Sequence, residues 1–186
     1  MKALRFYDVQ DLRYEDAPDP VIEKPDDVIV KVKAVGICGS DIARYRNLGP
    51  YVPGNVWGHE FCGEVVEVGE GVKNLKPGDR VVGCPNMVCH ECEYCKSGHP
   101  SRCENLNTIG AYVPGAYAEY IKLPEINFVK MADSMSYEQG ALVEPATVAI
   151  HGLYQTSIKM GYEVAVVGCG TVSYTHLRAH ETEADL

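Results

Sequence analysis

The chain has 186 residues, 46% of them hydrophobic, and a formal net charge of −9. That is enough for one ordinary domain with a real core and part of a second. The acidic balance argues against nucleic-acid and membrane-surface partners, both of which call for clustered Lys and Arg.

No apolar run approaches the roughly 20 residues that span a bilayer. The opening MKALRFYDVQ lacks the apolar stretch of a signal peptide, so a cytoplasmic protein is expected. In a reducing compartment, eight cysteines point to metal ligation rather than disulfides.

In chain order, DDVIVKVKAVGI alternates Val28, Val30 and Val32 on one face with Ile29, Lys31 and Lys33 on the other. This period of two predicts a half-buried strand. CGEVVEVGEGV and DRVVG are Val-rich and bounded by glycine, and they read as further strands. Between them, Pro77-Gly78-Asp79 forms a turn: Pro fixes φ, and Gly permits positive φ. Short strands at close spacing predict an all-β barrel or sandwich.

The segment CHECEYCKSGHPSRC spaces Cys89, Cys92, Cys95 and Cys103 as C-x2-C-x2-C-x7-C. Two-residue gaps let successive sulfurs converge on one ion, and the longer loop through Gly98 and Pro100 swings the fourth round. Four thiolates in a closed tetrahedron are the usual structural zinc site. His90 and His99 are alternative ligands, but four sulfurs complete the shell. Cys84, just outside, reads as a small buried side chain.

Near Asp133 the texture changes. Ser136 and Gln139 have the form of a capping box. A helix through Ala141, Leu142 and Val143 is expected, with a second from Thr147 to Tyr154. Glu163 to Val167, apolar without a break from Val164 on, reads as a parallel strand buried on both faces. Gly168-Cys169-Gly170 then opens a dinucleotide-type turn, but Ser173 stands where the third glycine belongs.

A second constellation is spread over three pieces: Gly36 to Asp41, Gly58-His59-Glu60 and Glu144-Pro145. One Cys, one His and carboxylates can form an open zinc site with a position left for water or substrate. Singly, each piece is weak, because a lone Cys before Gly is more often packing. His151 and the aromatics Tyr51, Trp57 and Tyr112 are more often core or backbone-satisfied residues than substrate contacts.

Together, GICGSD (36–41), GHEFCGEVVEVGEGV (58–72), PGDRV (77–81), the cysteine lobe, GAYAEY (115–120), EPATVAIHG (144–152) and VVGCG (166–170) resemble the zinc-containing medium-chain alcohol and polyol dehydrogenases. The resemblance runs without large gaps from Met1 to Gly170. It implies a mainly β fold with some α. A GroES-like barrel catalytic domain would span 1–152, with its structural zinc lobe at 84–104. A linking helix, the first strand of a Rossmann domain and its glycine turn would fill 153–170. It implies a catalytic zinc held by Cys38 and His59, with Glu60 and Glu144 as candidates for the remaining ligand. Glu144 in place of cysteine is the pattern of sorbitol, butanediol and galactitol-phosphate dehydrogenases. Ser40 resembles the hydroxyl that relays the substrate proton. Asp41 is placed to orient the zinc-bound histidine. Gly168 and Gly170 would contact NAD(P). The substrate would be a small alcohol or polyol, and the parent protein a homo-oligomer.

Residues 171–186 have a different resemblance. VSYTHLRAHET (172–182) is similar to a translated sequencing adapter of the transposase type, so this tail is expected to be non-native and stands outside fold reasoning. The chain would then hold a catalytic domain without the half that supplies its oxidant. The rival functional classes are a stand-alone zinc module, a zinc-ribbon nucleic-acid binder and a thiol redox protein. The first leaves Cys38, His59 and Glu144 unexplained. The second lacks a basic stripe. The third reads four clustered thiolates as an exchange pair rather than as ligands.

Overall fold

The computed structural model describes residues 1–159 and 161–168. These fall into two compact units, Met1–Ala141 and the segment from Leu142 on. The first unit is mainly β with some α. Its strands are β1 (Lys2–Asp8), β2 (Asp11–Asp16), β3 (Asp27–Val35), β4 (Asn55–Val56), β5 (Phe61–Val68), β6 (Arg80–Gly83), β7 (Asn86–Met87), β8 (Asn107–Thr108), β9 (Tyr120–Pro124) and β10 (Phe128–Lys130). They form a three-stranded sheet in the order β2-β1-β4, a five-stranded sheet β10-β6-β5-β3-β9, and the pair β7-β8.

The five-stranded sheet holds the core. Val28 and Val30 of β3 meet Val65 of β5, Val81 of β6, and Ile121 and Leu123 of β9. Phe61 and Phe128 pack edge to face, with ring centroids 6.3 Å apart. Each such side chain contributes about 1.5–3 kcal/mol on burial. The predicted alternation holds only in the second half of β3, where Lys31 and Lys33 face solvent; Ile29, expected on that face, is buried along with Val28 and Val30, because the first half of the strand is covered on both sides. The turn before β6 closes through an Asp79 N–H to Lys76 carbonyl bond of 3.1 Å, with Gly78 at φ 90°. Pro77 and Gly78 therefore occupy the central positions of a type II turn.

β7 and β8 bracket the cysteine lobe, which hangs from the barrel on a buried amide. The Nδ2 of Asn127 donates to the carbonyls of Cys84 (2.9 Å) and Asn86 (3.0 Å). Asn127→Ala strips both carbonyls of their donor and is expected to cost about 1–3 kcal/mol, read as a lower urea midpoint. An unchanged midpoint would show that solvent replaces the amide.

Among the described residues, four α-helices accompany the strands: α1 (Gly39–Ala43), α2 (Glu93–Lys96), α3 (Tyr137–Ala141) and α4 (Val143–Tyr154). The capping box precedes α3. The Ser136 N–H donates to Gln139 Oε1 (2.8 Å), and the Gln139 N–H donates to Ser136 Oγ (3.2 Å). Helix α3 ends at Ala141 rather than running on through Val143. Helix α4 opens at Val143, earlier than Thr147, because Pro145 sits in its first turn, where no intrahelical donor is needed. Beneath α3, Cys62 is fully buried, and burial pushes its thiol up to about 11. That marks Cys62 as a packing residue.

Two expectations are corrected. Cys84 is exposed rather than buried, since it leaves β6 at the point where the chain turns out into the lobe. Glu163 to Val167 lies in no strand among the described residues, and Val167 is almost fully exposed. A parallel strand takes its hydrogen bonds from neighbours, so an apolar run alone does not make one. Residues 169–186, including Gly170 and the adapter-like tail, lie outside the described residues. Among the described residues, no helix is long and apolar enough to cross a membrane.

Candidate metal centres

The lobe brings the sulfurs of Cys89, Cys92, Cys95 and Cys103 within 4.8 Å of one another. Local backbone explains the convergence. Cys92 caps α2, which puts Cys95 three residues on within the same turn. His90 adopts φ 58°, folding the chain between Cys89 and Cys92 into a knuckle. A 3-10 turn, Pro100–Arg102, then delivers Cys103. The Cys89 sulfur lies 3.5 Å from that of Cys103 and 4.0 Å from that of Cys95. A zinc tetrahedron with Zn–S bonds of about 2.3 Å separates its sulfurs by roughly 3.8 Å, so the donor set fits that ion. The backbone N–H groups of Glu91 and Cys92 pull the Cys89 thiol down to about 6. Amide donors thus already favour a thiolate there.

A second cluster draws Cys38, His59 and Glu60 together, again with ligand atoms within 4.8 Å of one another. These residues are far apart in sequence and meet because β3 and β5 are antiparallel neighbours with Val35 opposite Phe61. The residues leaving β3 and those entering β5 are therefore side by side. The Gly36 N–H donates to the Glu60 carbonyl at 2.7 Å and locks that junction. Cys38 caps α1, whose third residue, Asp41, is only 8% exposed. Glu60 is 5% exposed. A thiol, an imidazole and a buried carboxylate form a donor set suited to zinc.

Asp41 sits behind this cluster. Its Oδ2 accepts from the Cys38 N–H (3.1 Å) and from the Tyr117 hydroxyl (2.8 Å), and its Oδ1 lies 3.7 Å from His59 Nδ1. Burial pushes the Tyr117 phenol well above its ordinary range, and the Asp41 carboxylate adds to this, so the hydroxyl stays a donor. Ser40 is exposed on α1. A cleft of about 510 Å³, with Ile37, Asp41, Ile42, Trp57 and Tyr117 in its walls, opens alongside. Trp57 is a core residue, packed edge-on against Phe6 at 4.6 Å. Tyr51 and Tyr112 are exposed and stack on each other at 5.0 Å.

Glu144 lies in the first turn of α4, in the second unit. His151 is exposed on the same helix. Gly168 is exposed with φ 133°. Sequence reasoning gave Tyr117 no role. It stands in the quoted GAYAEY segment, but nothing local to that segment signals a partner 76 positions away.

The profile of the alcohol dehydrogenase GroES-like domain matches residues 24–133. The chain belongs to this family. The matched span of the GroES-like domain carries Cys38, Ser40, Asp41, His59, Glu60, Tyr117 and all four lobe cysteines, whereas Glu144 and Gly168 lie beyond it. The resemblance to zinc-containing medium-chain alcohol and polyol dehydrogenases is borne out by individual relatives. Sorbitol dehydrogenase of Bacillus subtilis (strain 168) is 39% identical over 177 residues, covering 92% of this chain and 50% of the relative. The crystal structure of galactitol-1-phosphate dehydrogenase from Escherichia coli superposes with a TM-score of 0.92 at 32% identity, over 96% of this chain and 52% of that one. An alcohol dehydrogenase from Escherichia coli CFT073, solved with NADH, gives a TM-score of 0.85 at 32% identity, over 96% and 52%. This GroES-like chain thus spans about half the length of the relatives it matches.

Proposed function

We propose that the whole protein is a zinc- and nicotinamide-dependent oxidoreductase that converts a secondary alcohol or polyol to a ketone, and that residues 1–152 supply its zinc-bearing catalytic domain. The observation that carries this reading is the convergence of Cys38, His59 and Glu60 with Asp41 behind them, in a chain that also holds a four-sulfur site. A stand-alone zinc module needs only the latter.

Zinc at the Cys38–His59 cluster would supply a Lewis acid for the alcohol oxygen and a nicotinamide would accept the hydride, so the redox chemistry would be the cofactors' own. The chain's residues bind, orient and move the proton. Cys38 and His59 hold the metal, with Glu60 and Glu144 as the candidates for the remaining ligand. Asp41 fixes the imidazole of His59. Ser40, exposed on α1, passes the alcohol proton outward. Cys89, Cys92, Cys95 and Cys103 hold a structural zinc. Gly168 and Gly170 would meet the dinucleotide. Among the described residues, Val164 to Val167 pair with no strand to frame that turn. Residues 1–186 alone are therefore expected to oxidise no alcohol. Any zinc-dependent, NAD(P)-coupled oxidation by the purified chain would refute that. Residues 171–186 are proposed to be no part of the native fold, which the nucleotide sequence across codons 168–186 decides.

Metal analysis tests the central claim. The chain is expected to bind two zinc ions, and Cys38→Ser with His59→Ala to bind one. A wild-type chain that holds a single zinc identifies the bare module instead.

A further inference from the structure

Tyr117 touches the His59 cluster's support in three separate ways. Its hydroxyl donates to Asp41 Oδ2 at 2.8 Å and lies 3.1 Å from the Gly36 carbonyl. Its N–H donates to the Trp57 carbonyl at 2.6 Å, and the N–H of Ala116 before it donates to the Gly58 carbonyl at 2.9 Å. Its ring lies against the Cα of Gly58, so closely that a Cβ at that position would fall 2.6 Å from Cδ1. Gly58 immediately precedes His59.

We infer that Tyr117 is a positioning residue for the catalytic metal ligand His59, acting through Asp41. Two donors converge on one oxygen of the Asp41 carboxylate, the Cys38 N–H and the Tyr117 hydroxyl. Two fixed bonds on Oδ2 set the plane of the carboxylate and leave Oδ1 to face His59 Nδ1. Without the phenol, one donor remains and the carboxylate can rotate about it. The imidazole then loses the partner that defines its tautomer and orientation. This inference rests on the proposed metal role of Cys38 and His59, and it adds a residue whose side chain reaches the metal only through another.

The test uses the full chain and zinc itself, with chelator competition for affinity and ¹⁵N NMR of the His59 ring nitrogens for orientation. Tyr117→Phe keeps the ring against Gly58 and removes only the hydroxyl. It is expected to weaken zinc at the Cys38–His59 site about tenfold and to shift the His59 ring signals. The four-cysteine site serves as the internal reference for folding and should keep its affinity. In an Asp41→Asn background, Tyr117→Phe is expected to cost nothing further, because a relay that is already cut cannot be cut again. Equal affinity and equal His59 signals in Tyr117→Phe would overturn the inference. So would the same loss with and without Asp41→Asn, which would place the effect in packing. Should Tyr117→Phe lose both metals by unfolding, Asp41→Asn alone decides: wild-type affinity at the second site in that variant refutes the relay. A wild-type chain with only one zinc is a different failure, since it removes the functional reading on which the relay stands.

Discussion

Cys103→Ser is expected to lower bound zinc from two ions per chain to one and to unfold the lobe between Cys84 and Glu104 while the barrel stays folded. The lobe has almost nothing else to hold it. Cys103 and Pro85 are its buried residues, and the rest are exposed or half-exposed. Its helix α2 spans four residues and its 3-10 turn three, both far below the length at which a helix is stable in water. Structural zinc supplies about 10–16 kcal/mol of apparent binding free energy in small domains, and that free energy is folding free energy. A serine hydroxyl does not replace the fourth thiolate. From the span between Cys84 and Glu104, the core around Val28, Val30, Phe61 and Val81 packs against Met87 of β7 alone, and the metal-binding segment from Cys89 on adds nothing to it, so the loss stays local. Metal analysis with amide hydrogen exchange reads both halves of the result. Retention of two zinc ions with unchanged protection over 86–104 would show that three sulfurs and the β7-β8 pair suffice.

The contrast between the two clusters shows what a sequence exposes. The four lobe cysteines are legible because their convergence is local: a capped turn, a left-handed His90 and a 3-10 turn act within 15 residues. The strands were legible for the same reason, since Val28 and Val30 alternate with Lys31 and Lys33 in the primary pattern itself. Cys38 and His59 could be suspected but not joined by spacing alone, because their contact depends on the register that sets Val35 opposite Phe61. Tyr117 was invisible, since its partner Asp41 is reached only after β9 has folded back against β3. Glu163 to Val167 shows the opposite failure. There the local pattern is strong, but a parallel strand is a property of neighbours that the described residues do not provide. Cys84 shows how one residue can decide burial: Gly83, just before it, is buried at the end of β6, and Cys84 is already outside.

Gly58→Ala is expected to be among the most damaging single-methyl changes in the barrel, and its effect should reach the metal. Two costs add. Gly58 has φ 96°, where an L side chain is strained by about 1–3 kcal/mol. The new Cβ would also stand 2.6 Å from Cδ1 and 2.9 Å from Cε1 of Tyr117. Such overpacking costs typically about 1–3 kcal/mol. The ring cannot move freely, because its hydroxyl is bonded to Asp41 and its N–H to the Trp57 carbonyl. Relief therefore displaces either the phenol or the backbone that carries His59, and both lead to the Cys38–His59 site. The total is about 2–6 kcal/mol, with weaker zinc at that site and normal zinc in the lobe. Gly78→Ala separates the two terms. Gly78 has φ 90°, nearly the same backbone, yet a Cβ there would meet nothing within 4 Å. It should show the backbone cost alone and bind both metals fully. The difference between the two variants in chemical denaturation measures the contact with Tyr117. If Gly58→Ala costs no more than Gly78→Ala and keeps its second zinc, the packing of Tyr117 against Gly58 does nothing to hold His59 in place.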